Sequence, residues 1–150
     1  MTGMSLEMRS IVIDSFTNVS QRVAGFAIKY AEKETKLSDV RKIKIETVGF
    51  LKASLVFSME PSYEQAILKG MTKEKTVSPE IALLYIGEYV NVLSGQVLTK
   101  VNNFVGKPSR LTVPVVGLEK SEKLTLYACQ EELIFSSEYG CMKVQISYEF

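Results

Sequence analysis

The chain has 150 residues, 46% of them apolar, and a net charge of +1. That is enough material for one domain with a real hydrophobic core; it excludes intrinsic disorder and gives no reason to expect the basic footprint of a nucleic-acid binder. The absence of histidine excludes Ser-His-Asp and Cys-His catalysis and histidine metal sites, and no Gly-rich phosphate loop of the GxxxxGKS/T or GxGxxG kind occurs.

Residues 1–9 lie outside any periodic pattern and are expected to be disordered. Met1 to Ser10 carries Glu7 and Arg9 and lacks the apolar centre of a signal peptide. No uninterrupted apolar run reaches the roughly 18 to 20 residues that cross a bilayer. A cytoplasmic protein without membrane insertion is expected. From Ile11 the apolar residues Ile11, Val12, Phe16, Val19, Val23 and Phe26 recur in three- and four-residue steps, predicting a first helix to Ala31. The basic residues between Lys29 and Lys44 are interrupted by Glu32, Glu34, Asp39 and Glu46, and read as a solvated loop and helix end.

Ile43 to Phe50 and Leu51 to Met59 read as two strands with a turn or bulge at Gly49. Ser62 is placed to cap a short helix from Tyr63 to about Met71. Ser78-Pro79-Glu80 is a strong helix start, with Ser as N-cap, Pro in the first turn and an acid at the positive dipole end. The helix is expected to run to Val101 or Phe104, before Gly106-Lys107-Pro108. Four strands should follow: Leu111 to Val116, Leu124 to Cys129, Leu133 to Ser137 and Met142 to Tyr148, the last three joined by short turns at Gln130 to Glu132 and Glu138 to Gly140. The order α-β-β-α-α-β-β-β-β predicts a single α+β domain spanning 1–150, with a mostly antiparallel sheet of about six strands and helices packed on one face. Cys129 and Cys141 fall in strand-like segments and read as reduced packing residues.

On the long helix, Leu83, Ile86, Val90, Leu93, Val97 and Val101 form one stripe. Glu88, Asn91, Gly95 and Asn102 form a second, rotated by about 140°. Glu88 and Asn91 are neighbours at i,i+3. Gly95 is one turn further on, where a glycine costs about 1 kcal/mol relative to alanine and bares the backbone to a close approach. Leu84 and Leu98 lie on or near this stripe and would give the pair apolar neighbours, as at a protein contact. Such a pair is common on solvated helix faces, so spacing by itself does not make it a site.

The pattern Glu88-Tyr89-Val90-Asn91, with Gly95 following and Pro114 about two dozen residues downstream, resembles the signature of the CheC/CheX family of chemotaxis phosphatases. Ser15-Phe16-Thr17-Asn18-Val19 in the first helix, and a hairpin around Gly49 leading into Ala53-Ser54-Leu55-Val56-Phe57, agree with it. The single motif is similar to CheX rather than CheC, since Asp14 and Asn18 are spaced one residue too wide to repeat it. One departure is Leu84, where the family often carries Asp or Ser. The resemblance implies hydrolysis of the phospho-aspartate of a CheY-like response regulator. Asn91 would hold the attacking water, Glu88 would pair with the regulator's active-site lysine, and Leu84, Gly95, Leu98 and Asn102 would contact the partner. Pro114 would be a structural part of the motif. The chain itself would bind no metal or cofactor, Mg²⁺ being brought by the regulator. The resemblance also implies a homodimer formed through the sheet, and the two apolar strands at the end of the sequence offer an edge for pairing. Two other readings fit the same residues. One is a non-catalytic module that binds a regulator or a flagellar-motor protein, which Leu84 favours; the other is a purely structural dimerisation domain.

Overall fold

A computed structural model describes residues 5–31, 36–37, 40–74, 76–116 and 124–150. The first helix, α1 (Leu6–Val19), begins earlier than its apolar stripe suggests, because Ser5 caps it by accepting a hydrogen bond from the Met8 amide at 3.1 Å. Leu6 to Arg9 are therefore helical, while residues 1–4 of the stretch expected to be disordered lie outside the described residues. After Val19 the hydrogen bonding widens into a π-helical turn (Ser20–Ala24), which Gly25 ends at φ 77°. This stop overturns the expected continuation to Ala31. Lys29–Ala31 is instead a short strand, β1, with Phe26 and Ile28 buried ahead of it.

Strands β2 (Arg41–Gly49) and β3 (Lys52–Met59) form the expected hairpin, in register from Arg41 opposite Met59 to Glu46 opposite Ser54. Gly49, at φ 126°, passes so close to the Pro108 carbonyl that a Cβ would stand 2.8 Å from its oxygen. The second helix, α2 (Pro61–Thr72), starts two residues before Tyr63. Pro61 occupies its first turn, so Glu60 rather than Ser62 is the N-cap residue. The long helix α3 (Pro79–Val105) follows its signals closely. Ser78 accepts from the Ile81 amide, and Gly106 closes the helix at φ 70°. By length and composition α3 would also suit a membrane span, but Ile86, Tyr89, Val90, Leu93 and Val101 are buried in the core.

The last third departs most from expectation. The strand expected at Leu111 to Val116 is split into β4 (Ser109–Leu111) and β5 (Val115–Val116). Leu124 to Ala128 forms no strand. Its amides are taken up by side chains instead: Thr125 donates to Ser54 Oγ, Tyr127 to Ser147 Oγ and Ala128 to Glu149 Oε1. Ser54 and Ser147 are fully buried on the face of the sheet away from the helices, so this segment covers that face. Gln130 to Glu132, expected as a turn, belongs to β6 (Cys129–Ser137), which pairs along its length with β7 (Gly140–Glu149).

Among the described residues seven strands form one antiparallel sheet in the order β1-β6-β7-β3-β2-β4, with β5 also on β2. The α+β architecture with helices on one face is as expected, with seven strands in place of about six. The last two strands do not supply the edge, however, since β7 lies between β3 and β6. The edges are β1 on one side and β4 with β5 on the other. Cys129 sits opposite Tyr148 and Cys141 opposite Ser136, at opposite ends of one ladder and far beyond disulfide reach. Phe16 of α1 packs between Phe57 and Phe135 at ring-centre distances of 5.6 and 5.4 Å, and each such side chain contributes about 1.5–3 kcal/mol on burial.

Candidate functional site

The core stripe of α3 fixes where its other faces point. With Ile86, Tyr89, Val90 and Leu93 inside, Glu88 is exposed and Asn91 half-buried. Beyond them runs the chain from Leu111 to Val116. Pro114 has no amide proton to donate to a ladder, so pairing with β2 lapses there. Leu111 is opposite Thr47, and pairing resumes with Val115 opposite Lys44. In the gap, the Thr112 amide donates to the Glu46 carbonyl at 2.8 Å and the Glu46 amide to Thr112 Oγ1 at 3.0 Å. Val113 is turned outward, 82% exposed.

The result is an open groove of about 550 Å³ between α3 and this interrupted strand. It is lined by Leu83, Leu84, Gly87, Glu88 and Asn91 on the helix and by Leu111, Thr112, Val113, Pro114 and Val116 opposite. The structure thus brings Glu88, Asn91, Leu84 and Pro114 together. Among the described residues neither the Glu88 nor the Asn91 side chain has an internal hydrogen bond or ion pair, so both are available to a partner. Leu84, one turn before Glu88, is 69% exposed.

Three other expected contacts are placed differently. Leu98 is buried, at 7% exposure, in the layer that also holds Met8, Val12 and Leu111. Packing by α1 and β4 on either side of α3 widens the apolar face beyond what a single stripe suggests, so Leu98 is a core residue rather than a partner contact. Gly95 faces Leu111 of this chain's own strand, whose Cδ1 would be 3.8 Å from an added Cβ, an ordinary contact that does not require glycine. Asn102 donates from Nδ2 to the Ser109 carbonyl at 3.2 Å and so ties the end of α3 to β4. Sequence reasoning missed Gly87, Thr112 and Val113. The signal for the last two was present in Pro114, which breaks the strand beside them.

Beneath the pair, the residue after Glu88 is anchored. The Tyr89 hydroxyl is 2.6 Å from Ser20 Oγ in the π-helical turn and 2.6 Å from the Tyr63 hydroxyl of α2. Burial pushes the Tyr89 phenol up to about 12 and raises Tyr63 well above its ordinary value, so both stay neutral. A second groove, of about 600 Å³, borders Arg41, Gln65, Lys69 and Lys73, but Arg41 is engaged there by Glu64 at 3.0 Å.

Among the described residues lining the groove, the acid and the amide have no cation beside them. Among the described residues no three His, Cys, Asp or Glu side chains are grouped to hold a metal. Such a site can orient a water and pair with a cation if a partner brings the reacting group.

A profile of the chemotaxis phosphatase CheX matches residues 43–137, well over half of the chain, including both walls of the groove. The fold is similar to that of the chemotaxis protein CheX from Vibrio vulnificus, at 20% identity and TM-score 0.79, covering 95% of this chain and 99% of that one. It is similar also to a chemotaxis protein CheX from Desulfovibrio desulfuricans, at 17% identity and TM-score 0.80, covering 96% and 100%. The CheX–CheY–BeF3–Mg²⁺ complex from Borrelia burgdorferi contains a chain of this fold, at 16% identity and TM-score 0.71, covering 97% and 100%. No curated protein sequence matches this chain.

Proposed function

This chain belongs to the family of the chemotaxis phosphatase CheX, and from that membership we propose that it dephosphorylates the phospho-aspartate of a CheY-like response regulator. The observation that carries the reading is the pair Glu88 and Asn91, whose side chains have no partner among the described residues and stand side by side on the wall of an open groove. That a protein of the same fold is found with CheY, beryllofluoride and Mg²⁺ supports the class of partner.

An acyl phosphate is already activated, so the phosphatase has little covalent chemistry to supply. The regulator's own Mg²⁺ and lysine neutralise the charge on the phosphoryl oxygens. Asn91 accepts from and donates to a water, holding its oxygen in line with the phosphorus. As the new P–O bond forms, the bond to the aspartate oxygen breaks, the carboxylate leaves with its electron pair, and the water's protons pass to phosphate and solvent. Glu88 pairs with the regulator's lysine and fixes the docked position. In this reading the chain binds no metal or cofactor of its own, acts in the cytoplasm and works as a homodimer.

The experiment follows phosphate loss from a CheY-type regulator charged with acetyl phosphate, in Mg²⁺, with and without this protein. Acceleration is expected, with Asn91→Ala reducing it by about 10²-fold or more and Glu88→Ala acting chiefly by weakening docking. Equal rates with wild type and Asn91→Ala, while binding persists, would overturn catalysis. They would leave the second reading, a binding module without hydrolysis, which the exposed Leu84 at the family's Asp or Ser position favours.

A further inference from the structure

The groove has an apolar lip that the water-positioning chemistry does not use. Leu84 stands on the helix wall and Val113 on the strand wall, 69% and 82% exposed, and no large apolar side chain among the described residues is more exposed than Val113. The fold buries neither. Leu84 is off the core stripe, and Val113 is turned outward by the break at Pro114. Among the described residues lining the groove, Glu88 alone is charged, and the remaining lining is apolar apart from Asn91 and Thr112.

We infer that Leu84 and Val113 form a clamp that selects the partner, closing on an apolar side chain of the regulator's surface beside its phosphorylated aspartate. The inference rests on the reading of the groove as a regulator-docking site. Its complement is a receiver surface with one cation facing Glu88 and an apolar rim around it. A regulator with a charged rim would have to bury those charges against Leu84 and Val113 without partners, and would be rejected. Leu84 and Val113 are specificity residues: they touch the partner protein and not the reacting atoms.

The test measures binding of wild type, Leu84→Ser and Val113→Ser to a CheY-type receiver held in its phosphorylated form by beryllofluoride and Mg²⁺, at low and high salt. Both side chains are exposed in the free protein, so the thermal midpoints should be unchanged. Each substitution is expected to weaken binding by about tenfold, equally at both salt concentrations, because the lost contact is apolar. Variants that bind as tightly as wild type would overturn the clamp. So would a loss that disappears with salt, which would mark an electrostatic contact. If the serine variants bind weakly but wild type does not speed phosphate loss, the clamp stands and the phosphatase reading falls. If wild type does not bind the receiver, both fall.

Discussion

The hydroxyl groups of Ser20 and Tyr89 lie 2.6 Å apart although 69 positions separate them in the chain. The contact joins the π-helical turn after α1 to the residue next to Glu88, and Tyr63 from α2 closes on the same phenol at 2.6 Å. Three elements are thereby pinned at one level of α3, which fixes the rotation of the helix and hence the direction of Glu88 and Asn91. Tyr89→Phe would keep the ring but remove the hydroxyl that both Ser20 and Tyr63 reach. A loss of about 2 kcal/mol is expected, read as a lower urea midpoint at an unchanged slope. An unchanged midpoint would mean that the three hydroxyls contribute nothing net.

Leu84 and Leu98 should separate cleanly. Leu98→Ala removes a buried side chain and should destabilise the fold by about 2–4 kcal/mol. Leu84→Ala, on an exposed side chain, should stay within about 0.5 kcal/mol of wild type. Thermal unfolding of the two variants checks this, and a similar shift in both would contradict their placement.

Gly70 and Gly95 are both helical glycines with opposite expectations. A Cβ at Gly70 would stand 1.8 Å from the Ala24 carbonyl oxygen, a backbone atom that cannot move without parting α2 from the π-helical turn. Gly70→Ala should therefore cost more than about 3 kcal/mol or prevent soluble expression. At Gly95 the nearest atom is Leu111 Cδ1 at 3.8 Å, an ordinary contact. There alanine should gain up to about 1 kcal/mol from helix propensity. Denaturant melts decide both.

Glu64 gives stability a pH dependence. Burial raises its carboxyl above the ordinary 4.5, and Arg41, at 3.0 Å, opposes the rise without cancelling it. The fold thus favours the protonated form. The stabilisation from this group is complete below 4.5 and is lost as pH rises through the raised folded value. Glu64→Gln removes that dependence, so its stability relative to wild type should climb with pH across this window. Parallel profiles for the two proteins, from urea melts between acid and neutral pH, would count against it.

Features under local chemical control were legible in the residues alone. Ser78-Pro79 and Gly106 delimit α3 because capping and φ preferences act over a few residues, and the i,i+3 spacing of Glu88 and Asn91 sets them side by side on any helix. The β2–β3 hairpin was legible for the same reason. The rest depends on contacts between distant segments. Lys29–Ala31 has helical periodicity behind it, but Gly25 ends the helix and β6 offers a free ladder. Leu124 to Ala128 has strand composition, but Ser54 and Ser147 capture its amides across the sheet. Leu98 looked peripheral on the wheel of one helix and is buried by a second helix and a strand. The groove itself has a wall more than twenty positions away from Glu88, built where Pro114 interrupts a strand. Residue spacing along the chain carries the pair; only the packing of α3 against that broken strand makes a surface on which a partner can use it.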